Sequence, residues 1–221
     1  PLPMFLSALT AGRSQQSDAP QPFRDILPTI KQDVPNPKGK IAIFTGCLLD
    51  FVYVDIATDV VKALNMAGYI VEMPLGQACC GAPATYMGDV ENAKKAAEMN
   101  LNAMEAEKYD YIVSACPTCT HALRDYVDFF KDNPELLKKA EELRSKTFDF
   151  CKLVSMLGGL PDTGDGVPMK VTYHDSCHLN RYLGVTKEQR ELLKATKGVE
   201  LIEMHDCDKC CGFGGSYSVK F

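Results

Sequence analysis

Apolar positions in the first half of the sequence alternate between runs of strand length and helical spacing. Three runs have the length and composition of β-strands and lie at 41–45, 69–73 and 111–114. Between them, apolar residues recur on one helical face from Val52 to Ala67 and from Val90 to Met104, where Asp89 is placed to cap the helix. Strands that alternate with helices in this way predict an α/β fold with a parallel sheet and right-handed crossovers.

The same pattern recurs 130 residues later in the chain. A segment that begins at Lys170 matches the one that begins at Lys40, and Cys177 takes the place of Cys47. One residue is inserted before a second Cys-Cys-Gly motif at 210–212. We therefore expect two tandem Rossmann-like parallel-sheet repeats, the second of them truncated within the given sequence.

Proline and polar residues set the expected boundaries of the parts. Residues 1–37 hold seven of the thirteen prolines and are expected to form a linker or a surface arm. Residues 38–150 form the first cysteine-rich domain and residues 151–221 the incomplete second one. An amphipathic helix at 133–144 is expected to bridge the two repeats. Because the sequence starts with proline and lacks the last cysteine pair of the second repeat, we expect a longer parent chain.

Cysteine is the residue with the most chemical information, since the chain has ten. In the first repeat, a cysteine or a cysteine pair follows the end of each predicted strand, and these residues are Cys47, Cys79, Cys80, Cys116 and Cys119. The carboxyl ends of parallel strands share one edge of the sheet, so these thiols should gather there. Helix N-termini at the same edge would stabilise a negatively charged, thiolate-ligated metal cluster.

Composition and charge exclude several other classes. The net charge of -5 comes without a basic patch, which argues against nucleic acid as a partner. No run of 18 apolar residues is present, so we expect no membrane span. A secretory signal is also absent, and the chain has enough apolar material for a core, so a disulfide-stapled secreted protein is disfavoured. These features predict a cytoplasmic protein.

Two other cysteine chemistries compete with an iron-sulfur cluster. Zinc takes four ligands, and five thiolates are one too many. Adjacent residues such as Cys79 and Cys80 point in opposite directions in extended backbone, which suits two irons of one cluster better than one small ion. A thioredoxin-like role for Cys116 and Cys119 would leave the other three thiols unexplained. Iron-sulfur is therefore favoured over zinc.

The wording of the motifs resembles one protein family. The motifs are Phe44-Thr-Gly-Cys47, Gln77-Ala-Cys-Cys-Gly-Ala-Pro83, His174-Asp-Ser-Cys-His178 and Cys210-Cys-Gly-Phe-Gly-Gly215. Together with the Cys-x-x-Cys at 116–119, they resemble the cysteine-rich CCG domain family, which includes the B subunit of heterodisulfide reductase. Within that family they are most similar to the iron-sulfur subunits of lactate and glycolate oxidation systems.

The resemblance implies a cofactor and its ligands. It implies a 4Fe-4S cluster, non-cubane as in well-understood relatives, held by the five cysteines of the first repeat, and a second site at Cys177, Cys210 and Cys211. Cys207 is left open between a spare ligand of the second site and a free thiol. His174 and His178 flank Cys177 and are expected to support the second site by hydrogen bonds. The remaining candidates, Cys151, His121 and His205, are interpreted as structural residues.

The resemblance also implies a role and partners. The chain would relay electrons within an oxidoreductase complex, from a flavin (FAD) dehydrogenase subunit that oxidises lactate or another 2-hydroxy acid. A ferredoxin-like iron-sulfur segment or subunit would accompany it, and the complex could bring a cytoplasmic protein to the inner face of the membrane. Two alternatives stay open: reduction of a disulfide at the cluster, as in heterodisulfide reductase, and a structural zinc module.

Overall fold

The computed structural model describes residues 17–162 and 166–212, so the first part of the expected arm and the last residues of the second repeat lie outside the described residues. The strands are β1 (Gly39–Ile43), β2 (Tyr69–Glu72), β3 (Tyr111–Ser114), β4 (Thr147–Asp149), β5 (Met169–Val171) and β6 (Val199–Leu201). The helices are α1 (Phe23–Ile26), α2 (Leu48–Phe51), α3 (Val54–Met66), α4 (Ala82–Tyr86), α5 (Val90–Met104), α6 (Pro117–Asp125), α7 (Pro134–Lys146), α8 (Phe150–Met156) and α9 (Glu188–Ala195). Short 3-10 turns lie at Leu27–Thr29, Ala106–Lys108 and Tyr126–Asp128, and a π-helical turn lies at His178–Tyr182.

The first four strands form one parallel sheet in the order β2-β1-β3-β4. Helix α3 leads from β1 to β2, α5 leads from β2 to β3, and α6 and α7 lead from β3 to β4. The last two strands, β5 and β6, form a separate parallel pair. The predicted α/β fold with tandem parallel-sheet repeats is confirmed.

The two sheets share one register. In the first sheet Gly39 lies opposite Tyr69, and in the second Met169 lies opposite Val199, each 130 residues further along the chain. The offset found in the sequence is therefore also the offset between paired backbone positions. The second repeat begins with the same strand, crossover helix and strand as the first.

The helix boundaries follow local signals. Asp89 caps α5 as predicted, since its carboxylate accepts a hydrogen bond from the Asn92 N–H at 3.2 Å. Gly68 ends α3 at a φ of +95°. Strand β1 ends at Ile43, before the predicted position 45, because the chain turns at Gly46, where φ is +58°.

One expectation about a helix was wrong. The helix predicted at 133–144 is α7, and it lies within the first sheet's connection from β3 to β4 instead of bridging the two repeats. The reason is the strand β4, which follows α7 immediately and pairs with β3 through Ile112 and Thr147. With three residues, β4 is too short to produce a visible hydrophobic run.

Apolar side chains cover both faces of the first sheet, as expected for parallel strands. Ala42 and Phe44 face the layer that contains α5, α6 and α7, whereas Ile41 and Ile43 face the layer that contains α3 and α8. All four of these side chains are fully buried. The sheet is therefore a rigid base for the loops at its carboxyl edge. No helix among the described residues is long and apolar enough to cross a bilayer.

The segment between residues 17 and 37 packs against this first sheet. Phe23 is fully buried in the layer with α3. Arg24 binds the buried Asp50 carboxylate of α2 through its side chain, and its backbone N–H donates to the same carboxylate at 3.0 Å. The side-chain amide of Gln32 bonds both the C=O and the N–H of Val71, each at 2.8 Å, along the outer edge of β2.

Candidate metal centre

The first cysteine site lies between β1 and β3, where the connections between strands begin to run toward the opposite edge of the sheet. Strands β1 and β3 are neighbours, but the chain runs from β1 to one side of the sheet and from β3 to the other. Such a switch point leaves a crevice at the carboxyl ends of the two strands, where α/β proteins commonly bind ligands. Cys47 follows β1 and Cys116 follows β3, so these two thiols flank the crevice.

Interactions between thiols connect all five cysteines of the first repeat. They run in the order Cys47, Cys79, Cys80, Cys119 and Cys116. Cys80 and Cys119 are buried, Cys79 and Cys116 are half-buried, and Cys47 is exposed. The structure therefore brings together the five residues that the sequence placed at one edge.

Hydrogen bonding distributes the protons unevenly over these thiols. Hydrogen bonds from Cys47 and then from Cys80 lower the pKa of Cys79 to about 2, and the backbone N–H of Gly81 acts in the same direction. The pKa of Cys47 is raised, chiefly because its thiol is the donor to Cys79. The hydrogen bonds in this half of the site therefore favour the thiolate form at Cys79.

A second thiolate is favoured at the other end of the series. A hydrogen bond from Cys119 lowers the pKa of Cys116 to about 7 against the effect of burial, and the N–H groups of Cys119 and Thr118 at the start of α6 contribute. The pKa of Cys119 is raised well above its usual value by its bond to Cys116, its bond to Cys80 and burial. For Cys80, the bond with Cys119 lowers the pKa, but the bond with Cys79 and burial outweigh it and raise the pKa to about 12.

Two glycines allow the loops to come this close. A Cβ atom on Gly46 would lie 3.1 Å from the sulfur of Cys119. Gly81, the glycine of the Cys-Cys-Gly motif, has a φ of +81°, and a Cβ there would lie 3.2 Å from the carbonyl oxygen of Ala93. Both positions are left-handed and crowded, so glycine suits them. The glycine of the motif is explained by its left-handed backbone and its crowded position.

Buried polar side chains that sequence reasoning missed hold the Cys79–Cys80 loop. The amide of Asn100 accepts from the Ala78 N–H at 2.8 Å and donates to the Cys79 carbonyl at 3.0 Å. The Tyr126 hydroxyl donates to the Cys80 carbonyl at 2.9 Å. Asn100 lies on the apolar face of α5 between Ala97 and Leu101. A polar residue at a buried helical position is the one sequence feature that could have indicated its role.

A third buried amide joins this loop to the first one. The side chain of Gln77 donates to the Ile43 carbonyl at 2.8 Å and accepts from the Thr45 N–H at 3.2 Å. It thus connects the residues before Cys79 to the residues before Cys47. Because each of these bonds is shielded from water, the two loops are fixed relative to each other.

A small cavity of about 70 Å³ opens beside Cys80. One wall is helix α4, with Thr85 and Tyr86, and the other is helix α6, with His121 and Asp125. His121 is held by a contact between its Nε2 atom and the Asp125 carboxylate at 2.9 Å. It lines this cavity in addition to the structural role expected for it.

The cysteines of the second repeat are more open. Cys177 directly precedes the π-helical turn, in the same way that Cys47 directly precedes α2. Cys177 is half-buried, whereas Cys210 and Cys211 are exposed. The N–H of Gly212 approaches the Cys210 sulfur at 3.5 Å, and the φ of Gly212 is +76°. The turn at the second Cys-Cys-Gly therefore repeats that of the first, where Gly81 stands beside Cys79.

Cys207 belongs to an ion-pair network in this structure. Its sulfur lies 3.4 Å from an Arg190 nitrogen and 3.6 Å from the Asp175 carboxylate. Arg190 forms ion pairs with Asp175 at 2.9 Å and with Glu203 at 2.7 Å. These contacts fix the position of the Cys207 thiol, and its role as a spare ligand or a free thiol stays a prediction.

The remaining candidates occupy several different environments. Cys151 is half-buried on α8, and burial raises its pKa to about 12. A ring nitrogen of His174 bonds the Lys209 carbonyl at 2.7 Å, and His205 is almost fully exposed. His178, expected beside the second site, has its ring 5.9 Å from that of His121 in the first repeat.

The arrangement of the thiols bears on the metal they could bind. Within residues 17–162 and 166–212, no three His, Cys, Asp or Glu side chains converge closely enough to hold a single ion. The five thiols are instead connected in series, and thiolate is favoured at Cys79 and Cys116. Soft thiolate donors spread over several positions fit a cluster whose ligands bind different iron atoms.

Comparison with known proteins places the chain in a family. The cysteine-rich domain model, CCG, matches residues 41–124 and 171–221, and the chain belongs to this family. Relatives named lactate utilization protein A include those of Bacillus velezensis, 38% identical, and Bacillus subtilis, 37% identical, each over 181 residues that cover 82% of this chain and 75% of the relative. The resemblance seen in the motifs is thereby confirmed.

Proposed function

We propose that this chain is an iron-sulfur electron-transfer subunit of a complex that oxidises lactate or a related 2-hydroxy acid. The observation that carries the proposal is the series of five thiols at the switch point of the sheet. The similarity to proteins named for lactate utilization supports the substrate class. Cys47, Cys79, Cys80, Cys116 and Cys119 are proposed as the ligands of a 4Fe-4S type cluster.

The electrostatics of the site support a metal group that is ligated by thiolates. Each favoured thiolate lies near the start of a helix, Cys79 before α4 and Cys116 before α6, where backbone N–H groups face it. Such N–H groups also bond to cluster sulfur and tune its potential. When bound, the cluster supplies one-electron chemistry, while the protein fixes the loops through Asn100, Tyr126 and Gln77.

The proposed partners follow from the chemistry. Oxidation of a hydroxy acid removes two electrons, and a flavin subunit can take both and release them singly to an iron-sulfur chain. We propose a flavin (FAD) dehydrogenase subunit as the donor and a ferredoxin-like iron-sulfur segment or subunit as a neighbour. A second site at Cys177, Cys210 and Cys211 is proposed with ligands completed from outside the described residues.

Anaerobic purification followed by iron, sulfide and zinc analysis and EPR tests the proposal. We expect about four irons for each occupied site. The variant Cys80→Ala should lose the first cluster, while Cys151→Ala, a matched control outside the five thiols, should keep it. Stoichiometric zinc without iron would establish the zinc module instead.

The lactate assignment needs a separate experiment. The reconstituted chain is mixed with a flavin-dependent lactate dehydrogenase subunit and lactate under argon, and cluster absorbance is followed. Bleaching that depends on both lactate and the flavin subunit is expected. The alternative, reduction of a disulfide at the cluster, can be followed in reverse. If a pair of thiols bleaches the cluster without lactate and is released as a disulfide, this alternative is supported.

A further inference from the structure

A ring from the second repeat lies beside two of the residues that line the cavity at Cys80. The His178 ring has its centroid 6.0 Å from that of Tyr86 on α4 and 5.9 Å from that of His121 on α6. Tyr86 and His121 belong to opposite walls of the cavity. His178 therefore spans the gap between the two helices that enclose Cys80.

Further contacts hold the His178 ring in this place. Tyr182 stacks on His178 with a centroid distance of 5.1 Å and lies 4.5 Å from the His121 ring. His121 is anchored on its own helix by Asp125. His178 and Tyr182 are the first and last residues of the π-helical turn, a rare form that is frequent at functional sites.

The hydrogen-bonding state of His178 gives an independent indication. Its Nδ1 atom is buried and has no hydrogen-bond partner among the described residues. A buried polar atom without a partner is costly and calls for an explanation. A hydrogen bond of its own Nδ1 atom therefore does not explain the position of the ring, which lies beside Tyr86 and His121.

We propose that His178 is a positioning residue of the first metal centre, supplied by the second repeat, and that its ring closes the cavity at Cys80 by bridging Tyr86 and His121. The second repeat then has a function at the first site that does not depend on metal bound at its own cysteines. Closing the cavity limits the access of water and small molecules to Cys80.

Cysteine alkylation in the iron-free chain tests the closure directly. Iodoacetamide labelling at Cys80, followed by mass spectrometry, should be several-fold faster in His178→Ala than in the unmodified chain. His178→Phe keeps the ring and should restore the slow rate. Ile202→Ala, a truncation of a half-exposed side chain in the same repeat, should leave the rate unchanged. An unchanged rate at Cys80 in His178→Ala overturns the proposal.

A second variant and a second measurement complete the test. If circular dichroism shows that His178→Ala is unfolded, the alkylation rate of Cys80 is measured in Tyr182→Ala instead. This variant removes the ring that holds His178, so the rate should again rise, and an unchanged rate overturns the proposal. The second measurement rests on the proposed function: in the iron-loaded protein, EPR titration gives the midpoint potential of the first cluster. It should rise in His178→Ala, since water stabilises the more negative reduced cluster, and return in His178→Phe. Failure to load iron would count against the proposed function alone, because alkylation needs no metal.

Discussion

The side-chain amide of Asn100 donates a hydrogen bond to the phenol oxygen of Tyr126 at 2.9 Å, and both side chains are fully buried. Asn100 also bonds the carbonyl of Cys79, and Tyr126 bonds that of Cys80. The two adjacent cysteines are thus held by their backbone from inside the protein, which leaves their sulfur atoms available for other contacts.

Removal of the Tyr126 hydroxyl tests this arrangement. Tyr126→Phe leaves the Cys80 carbonyl without its buried donor, so we expect the free energy of unfolding to fall by about 1–3 kcal/mol. Urea unfolding measures the change. The matched control is Tyr109→Phe, whose hydroxyl makes a longer 3.3 Å bond to Glu72 near the surface. A loss no larger than that of the control would remove the proposed role of Tyr126.

Gly81 and Gly88 have the same backbone angle, so their alanine variants distinguish backbone strain from steric crowding. Gly81 and Gly88 both have a φ of +81°, but a Cβ on Gly88 would meet nothing within 4 Å, whereas one on Gly81 would press against the Ala93 carbonyl. Both alanine variants should lose about 1–2 kcal/mol from the left-handed conformation. Gly81→Ala should lose more, and only it should impair cluster loading. Equal losses in thermal or urea unfolding would show that the contact with Ala93 is easily relieved.

The ion pair between Arg24 and Asp50 predicts that the arm stabilises the loop after Cys47. Arg24→Gln leaves a fully buried carboxylate with fewer partners, and we expect a loss of about 2–4 kcal/mol, below the range for fully buried pairs because the guanidinium side chain is 37% exposed. Lys31→Ala, which breaks the exposed pair with Asp33, should change stability by less than about 0.5 kcal/mol. Chemical denaturation of both variants at the same pH measures the difference.

Asp149 predicts a pH dependence of stability. Burial raises its pKa from 3.8 to about 6, although its carboxylate caps α8 through the Cys151 N–H. The folded state therefore binds this proton more tightly than the unfolded state, so its contribution is present below pH 4 and is lost as the pH rises through 6. Asp149→Asn should flatten this decline and raise stability at pH 7 by about 1–3 kcal/mol. Exposed Asp59→Asn serves as the control, and an unaltered profile in Asp149→Asn contradicts the assignment.

Strong local patterns made much of the fold predictable. Strand β3 was predicted at its observed bounds, and the Asp89 cap was read from a residue type and its position. The repeat offset followed from two matching segments of the sequence. The convergence of the five thiols followed from the strand pattern, because parallel strands bring their carboxyl ends to one edge.

Other features depend on contacts between distant parts of the chain, which leave little local signal. Asn100 and Tyr126 meet across 26 positions, and neither lies in a recognisable motif. The neighbouring motif placed His178 with the second site, whereas its ring packs on His121, 57 positions earlier. Side-chain packing between the two repeats decided that outcome, and no periodicity in the sequence reports it.

The position of Gln32 has a consequence for assembly. An edge strand offers unpaired N–H and C=O groups to which a strand of another molecule can add. At Val71 in β2, the Gln32 amide already occupies both groups. A second protein could extend the sheet there only by displacing the arm, so this side of the molecule is protected from strand addition and from the aggregation that it can start.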